Sequence, residues 1–144
     1  MSILIDADTT FIVQGITGRE AVNLTRECLD YGAGAKIVGG VTPGRKGREV
    51  HGVPVFDTVA QVVEHHGSPI DGSVVTVPPA FTKDAVFEAI ENQIKLIVIV
   101  TERIPRRDVA QMVELAGLRG ARIIGPNCLG IIVPDVIKMG GIGG

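Results

Sequence analysis

The sequence predicts an α/β fold: a doubly wound, mainly parallel sheet with helices on both faces. Three observations carry that prediction. Short apolar runs alternate with segments of helical periodicity from one end of the chain to the other. Glycine, proline and polar residues cluster where the apolar runs stop. Runs such as Leu96-Ile97-Val98-Ile99-Val100 are apolar without alternation, as strands buried on both faces are. Right-handed crossovers between such strands place helices on both sides of a parallel sheet.

Met1 to Ile5 reads as a short leading strand or docking arm, and Asp6 to Thr10 as a polar turn. Phe11 to Gln14 is the first strand. The first helix runs from about Gly18 to Tyr31, with Ala21, Val22, Thr25, Cys28 and Leu29 on one face, and Gly32 and Gly34 end it. The second strand, Ile37 to Val41, leads into a loop with three cations, Thr42-Pro43-Gly44-Arg45-Lys46-Gly47-Arg48. Val53 to Phe56 is a short extended piece. Asp57 or Thr58 can cap a helix that runs through His66, with Val59, Val62 and Val63 inward. The third strand covers Ser73 to Val77, and Pro78-Pro79 stops it. The third helix covers about Thr82 to Asn92, with Val86, Ala89 and Ile90 inward. The fourth strand is Leu96 to Val100. Pro105 suits the first turn of the fourth helix, whose stripe is Val109, Met112, Val113 and Ala116. Arg122 to Ile124 is the fifth strand, and Ile131 to Val133 a short sixth. Residues 140–144 read as a glycine-rich tail.

At 144 residues the chain suits one domain with a real core. Hydrophobic residues make up 45% of it, yet no run approaches the ~18 residues of a membrane span, so no membrane partner is expected. The first residues have no basic flank and turn acidic at Asp6, unlike a signal peptide. A net charge of −2 and the lack of tryptophan argue against a nucleic-acid partner. Cys28 and Cys128 form no CxxC pair, which argues against zinc and disulfides and suits a reducing cytoplasm.

In a doubly wound sheet, ligands bind just past the carboxyl ends of the strands. Those positions are Gly15 to Glu20, Thr42 to Arg45, Pro78-Pro79, Thr101-Glu102 and Pro126-Asn127. Gly15-Ile16-Thr17-Gly18-Arg19-Glu20-Ala21 is a glycine turn that opens a helix. Gly15 permits the sharp turn, Gly18 leaves room for a ligand, and Ala21 lets the helix lie close to the strand. Free helix N–H groups and the Thr17 hydroxyl make this a phosphate cradle. No acid ends the second strand, where a domain for NAD usually carries one. Arg45 stands there instead, which suits an extra ribose phosphate: the 2′-phosphate of NADP or the 3′-phosphate of coenzyme A. Val77-Pro78-Pro79 is an apolar wall that fits a pantetheine arm or a nicotinamide. Glu102 is a helix cap or an acceptor near a reacting centre. His51, His65 and His66 show no ligand spacing, and no nucleophile–base pair emerges, so no catalytic residue and no metal ligand is assigned. An NADP(H)-binding oxidoreductase or a dinucleotide-sensing domain is the alternative that these residues leave open.

Six motifs in order then carry a family resemblance. They are Met1-Ser2-Ile3-Leu4-Ile5-Asp6, Gln14-Gly15-Ile16-Thr17-Gly18, Val38-Gly39-Gly40-Val41-Thr42-Pro43-Gly44, Gly52-Val53-Pro54-Val55-Phe56, Thr101-Glu102 with Ile104-Pro105, and Ile124-Gly125-Pro126-Asn127-Cys128. Together they resemble the amino-terminal domain of the succinate–CoA ligase alpha subunit, over the whole chain. The resemblance implies a Rossmann-like domain, residues 1–144, that binds coenzyme A. It implies coenzyme A contacts from Thr17, Gly18, Arg19 and Glu20, from Arg45 beside Pro43, and from Val100, Thr101 and Glu102. Gly15, Val77 and Pro78 complete the expected site. It also implies a ligase of the tricarboxylic acid cycle, cytoplasmic or in the mitochondrial matrix, with a beta subunit as partner. Its reaction joins an acid to coenzyme A through an acyl phosphate and a phosphohistidine. That histidine belongs to a second alpha-subunit domain that these residues do not include, and none of the three histidines here matches it. The expected activity of these residues alone is therefore binding rather than the complete ligase reaction. Four positions depart from the family pattern: Ala21 for Gly, Arg45 for Lys, Arg103 for Gly and Leu129 for Pro.

Overall fold

A computed structural model of the chain describes residues 3–141. Nine strands and four helices are described: β1 (Thr10–Gln14), α1 (Arg19–Asp30), β2 (Lys36–Val41), β3 (Glu49–Val50), β4 (Val53–Phe56), α2 (Val59–His66), β5 (Gly72–Val75), α3 (Pro79–Glu91), β6 (Leu96–Ile99), α4 (Arg106–Arg119), β7 (Arg122–Ile124), β8 (Gly130–Val133) and β9 (Ile137–Gly140). Seven strands form one sheet in the order β3-β4-β2-β1-β5-β6-β7. Every pairing in it is parallel except that of β3 with β4. The strand order reverses between β1 and β5, so the open crevice of the doubly wound sheet lies at their carboxyl ends.

Alternate residues of β1 feed two cores. Phe11 and Val13 join Leu24 and Cys28 of α1 with Ile137 and Met139 of β9. Ile12 joins Val59 and Val62 of α2, Val86 and Ile90 of α3, and Met112 of α4. One face of the sheet thus carries three helices, and the other carries α1 and the antiparallel hairpin β8–β9. The glycines of β2 split in the same way. A Cβ on Gly39 would strike Val62 of α2, and one on Gly40 would overlap Ile16 on the opposite face.

Several boundaries differ from the sequence reading. No strand forms at residues 3–5; Ile5 instead tucks into the core, and Met1 and Ser2 lie outside the described residues. Thr58 caps α2 by accepting from the Gln61 N–H at 3.2 Å, which leaves Asp57 free for other partners. Helix α3 begins at Pro79, because a proline suits the first helical turn as well as it ends a strand. Val113 is more than half exposed: the stripe is Val109, Met112 and Ala116, and Val113 sits at its edge. The hairpin strands β3 and β9 were not anticipated. Gly140, read as part of a tail, is the last residue of β9, and residues 142–144 lie outside the described residues.

The hairpin is fastened to α1. Lys138 is almost fully buried and pairs with Glu27 at 3.6 Å. The Cys28 thiol donates to the Gly140 carbonyl at 3.3 Å. Tyr31 accepts from the Asp135 N–H at 3.0 Å. Burial pushes the Cys28 thiol above its ordinary pKa of 9.0. A raised folded-state value means that this group's stabilising contribution is full below pH 9.0 and declines as pH rises through the folded value. Cys128 is only half-buried, with its sulfur accepting from the Gly130 N–H at 3.3 Å. Native protein is expected to react with a thiol reagent at Cys128 alone and to yield the second thiol only in denaturant. Equal labelling of both in the native state would contradict the packing of α1 against β9.

Candidate functional site

The site grows from the carboxyl end of β1. Gln14 is buried, and its side chain bridges neighbours: Nε2 donates to the Ala85 carbonyl at 2.8 Å and Oε1 accepts from Ser73 Oγ at 2.7 Å. The next residue, Gly15, turns with φ 87°, a conformation that side chains resist. Its own N–H donates to the Val41 carbonyl at 2.7 Å. A Cβ there would lie 2.9 Å from Thr76 Oγ1 and 3.1 Å from the Val77 nitrogen. Glycine is therefore required both by the turn and by the close approach of the segment leaving β5. Thr76 Oγ1 closes this junction by donating to the Gln14 carbonyl at 2.8 Å.

Helix α1 follows at once. Gly18 precedes its first residue and offers no side-chain cap. The Val22 N–H bonds to the Gly18 carbonyl at 2.9 Å, so the N–H groups of Arg19, Glu20 and Ala21 come before the helical ladder. With the helix dipole they favour an anion. The Thr17 hydroxyl does not simply join them as the sequence suggests. It donates to Thr42 Oγ1 at 3.1 Å, tying the glycine turn to the start of the basic loop.

A cleft of about 930 Å³ opens at this end of the sheet. Gly18, Arg19 and Glu20 form one wall, Val77, Pro78 and Pro79 another, and Val100, Thr101, Glu102 and Arg103 a third. The exit loops are tied to each other. Thr101 Oγ1 donates to the Val77 carbonyl at 2.7 Å. The Asn127 N–H donates to the Thr101 carbonyl at 2.9 Å, and the Val100 N–H to the Val75 carbonyl at 3.0 Å. The arrangement offers an anion site at one end, an apolar middle and mixed charges at the far end. That suits an elongated ligand with phosphate at one end.

Eight of the expected residues line the cleft together: Gly18, Arg19, Glu20, Val77, Pro78, Val100, Thr101 and Glu102. Gly15 and Thr17 lie behind its wall as supports. Pro43 and Arg45 are exposed on the neighbouring loop and do not line it. The cleft also recruits residues that were not expected there, chiefly Thr76 and, from the second and third turns of α1, Asn23, Leu24 and Glu27. Helical spacing from Gly18 and Glu20 places Asn23, Leu24 and Glu27 on the same side, a signal present in the sequence. His51, His65 and His66 lie away from the cleft. His65 instead packs its ring against Phe56, 5.1 Å between centroids. Among the described residues no cluster of His, Cys, Asp or Glu could hold a metal ion.

The CoA binding domain family matches residues 6–103. The succinate–CoA ligase [ADP-forming] subunit alpha of Methanothermobacter thermautotrophicus is 46% identical over 138 residues, covering 96% of this chain and 45% of that protein. Its counterpart in Aquifex aeolicus is 42% identical over 142 residues, covering 97% and 45%. The chain thus spans a little under half the length of these curated relatives. Among solved structures, ATP citrate lyase from Methanothrix soehngenii in complex with citrate and coenzyme A superposes with a TM-score of 0.81 at 19% identity, covering 96% of this chain and 24% of that one. The dinucleotide-forming acetyl-coenzyme A synthetase 1 of Ca. Korarchaeum cryptofilum gives 0.75 at 19% identity, covering 92% and 29%. At those identities the two structures speak for the Rossmann-like fold alone.

Proposed function

The chain belongs to the CoA-binding domain family, and on that premise we propose that its cleft holds coenzyme A extended across the strand ends, as the coenzyme A site of a succinate–CoA ligase alpha subunit. The pyrophosphate meets the free N–H groups at the start of α1. The pantetheine arm follows Val77-Pro78 and then Val100-Thr101-Glu102. Arg45, on the loop tied to the glycine turn through Thr17 and Thr42, takes the 3′-phosphate. The observation that carries this reading is the convergence of the α1 N-terminus with the exits of β5 and β6 in one cleft. The three histidines lie outside it, so these residues supply the thiol substrate's site, while the phosphohistidine step falls to another domain. A ligase beta subunit is the proposed partner. The alternative, a site for NADP(H), is not favoured by the relatives, which are ligase subunits.

Calorimetric titration with coenzyme A, NADPH and NADH tests the reading. Coenzyme A is expected to bind at micromolar concentration, with dephospho-coenzyme A weaker and NADH weakest. Tighter binding of NADPH than of coenzyme A would sink it.

A further inference from the structure

The loop between β2 and β3 carries Arg45, Lys46 and Arg48, and none of the ion pairs among the described residues uses them. Three cations clustered in one short loop repel each other and favour an open, mobile chain. The backbone nevertheless holds a definite course. The Arg45 N–H donates to the Thr42 carbonyl at 3.0 Å, and the Gly47 N–H to the Val55 carbonyl at 3.1 Å. The Arg48 N–H donates to the Arg45 carbonyl at 3.2 Å and the Val55 N–H to the Arg48 carbonyl at 3.0 Å, and one carboxylate oxygen adds the side-chain bonds around Arg45. Asp57 Oδ1 accepts from the Gly44 N–H at 2.8 Å and from the Lys46 N–H at 3.2 Å, the two peptide groups that flank Arg45. Asp57 is itself fixed, because its N–H donates to Gln61 Oε1 at 2.9 Å in the first turn of α2. Thr58 caps that helix, so Asp57 has no capping duty there.

We propose that Asp57 is a positioning residue for ligand discrimination: its carboxylate clamps the peptide groups on either side of Arg45 and holds the guanidinium ready for the 3′-phosphate. The inference rests on the reading that Arg45 meets that phosphate. The clamp's value is entropic. A loop already ordered loses little freedom when the phosphate arrives, so more of the phosphate contact appears as affinity. The negative charge of Asp57 is not what the clamp needs. An acceptor oxygen in the same place suffices.

The test compares coenzyme A with dephospho-coenzyme A on the full chain by calorimetry, for wild type, Arg45→Ala, Asp57→Ala and Asp57→Asn. Asp57→Ala is expected to lower the preference for coenzyme A over dephospho-coenzyme A by about ten-fold, with dephospho-coenzyme A affinity nearly unchanged. Asp57→Asn is expected to keep the wild-type preference, because its amide oxygen can accept both bonds. An unchanged preference in Asp57→Ala overturns the proposal, as do equal losses for both ligands accompanied by a lower melting temperature. If wild type and Arg45→Ala show the same preference, the reading of Arg45 has failed, and that outcome is recognised without the Asp57 variants.

Discussion

Replacing Arg45 with alanine is expected to weaken coenzyme A binding about ten- to a hundred-fold while leaving dephospho-coenzyme A within about two-fold of wild type. The magnitude follows from the loss of one charge-assisted hydrogen bond to a phosphate, about 1.5–3 kcal/mol. Its selectivity follows from position: Arg45 stands outside the cleft walls, on the loop tied to the glycine turn through Thr17 and Thr42, and in the proposed pose it meets the 3′-phosphate alone. Arg45→Lys is expected to recover part of the loss, because the charge returns without the planar fork. The effect should shrink in high salt, since the loop is exposed and screened. Titration of both ligands at two salt concentrations reads all of this. Equal losses for the two ligands would mean that Arg45 does not read the 3′-phosphate.

Gly40→Ala is expected to destabilise the fold by about 1–3 kcal/mol, a loss of several degrees in melting temperature. Gly40 lies inside β2, paired with Val13 on one side and Val55 on the other, so the backbone cannot retreat. Its missing side chain makes room for Ile16, which is fully buried. Ile16 sits in the turn between Gly15 and Thr17. Pushing it outward displaces the phosphate cradle as well, so coenzyme A affinity should fall together with stability. Gly117→Ala is the contrasting change. Gly117 lies on an exposed part of α4 with open space around its Cα, and alanine there should stabilise by about 0.5–1 kcal/mol through helix propensity. Thermal melts of the two variants with and without ligand separate packing from propensity. A neutral Gly40→Ala would show that Ile16 has somewhere else to go.

Much of this architecture is legible in the residues. The strands β1, β2, β5, β6 and β7 are apolar runs closed by glycine, proline or polar residues, and local periodicity suffices to place them and the helices between. What local pattern misses is what tertiary contacts decide. Ile137-Lys138-Met139-Gly140 does not read as a core strand, because Lys138 interrupts it and glycines follow. It becomes one through tertiary contacts: Ile137 and Met139 pack against α1, and Glu27, more than a hundred residues earlier, stands where it can pair with the lysine. Val113 reads as core because it lies four residues after Val109 and three before Ala116, yet it falls at the edge of the stripe and stays exposed. At the site, strand-end logic finds the three walls of the cleft. It does not foresee that the Thr17 hydroxyl bonds Thr42, and it gives no hint of Thr76, which falls inside an apparent strand. Asp57 looks like a helix cap by spacing. Only the fold of the loop over it shows that it serves Gly44 and Lys46 instead.

The fastening of β9 to α1 has a consequence for the order of assembly. Cys28 meets Gly140 across 112 residues of chain, and Tyr31 meets Asp135 across 104. During synthesis, α1 and its first strand leave the ribosome long before anything exists to cover their outer apolar side. Leu24 and Cys28 wait uncovered until Ile137 and Met139 emerge, although the three-helix face of the sheet can close as its helices appear. That side of the nascent chain therefore stays sticky until β9 emerges, and until then it most needs protection from other chains.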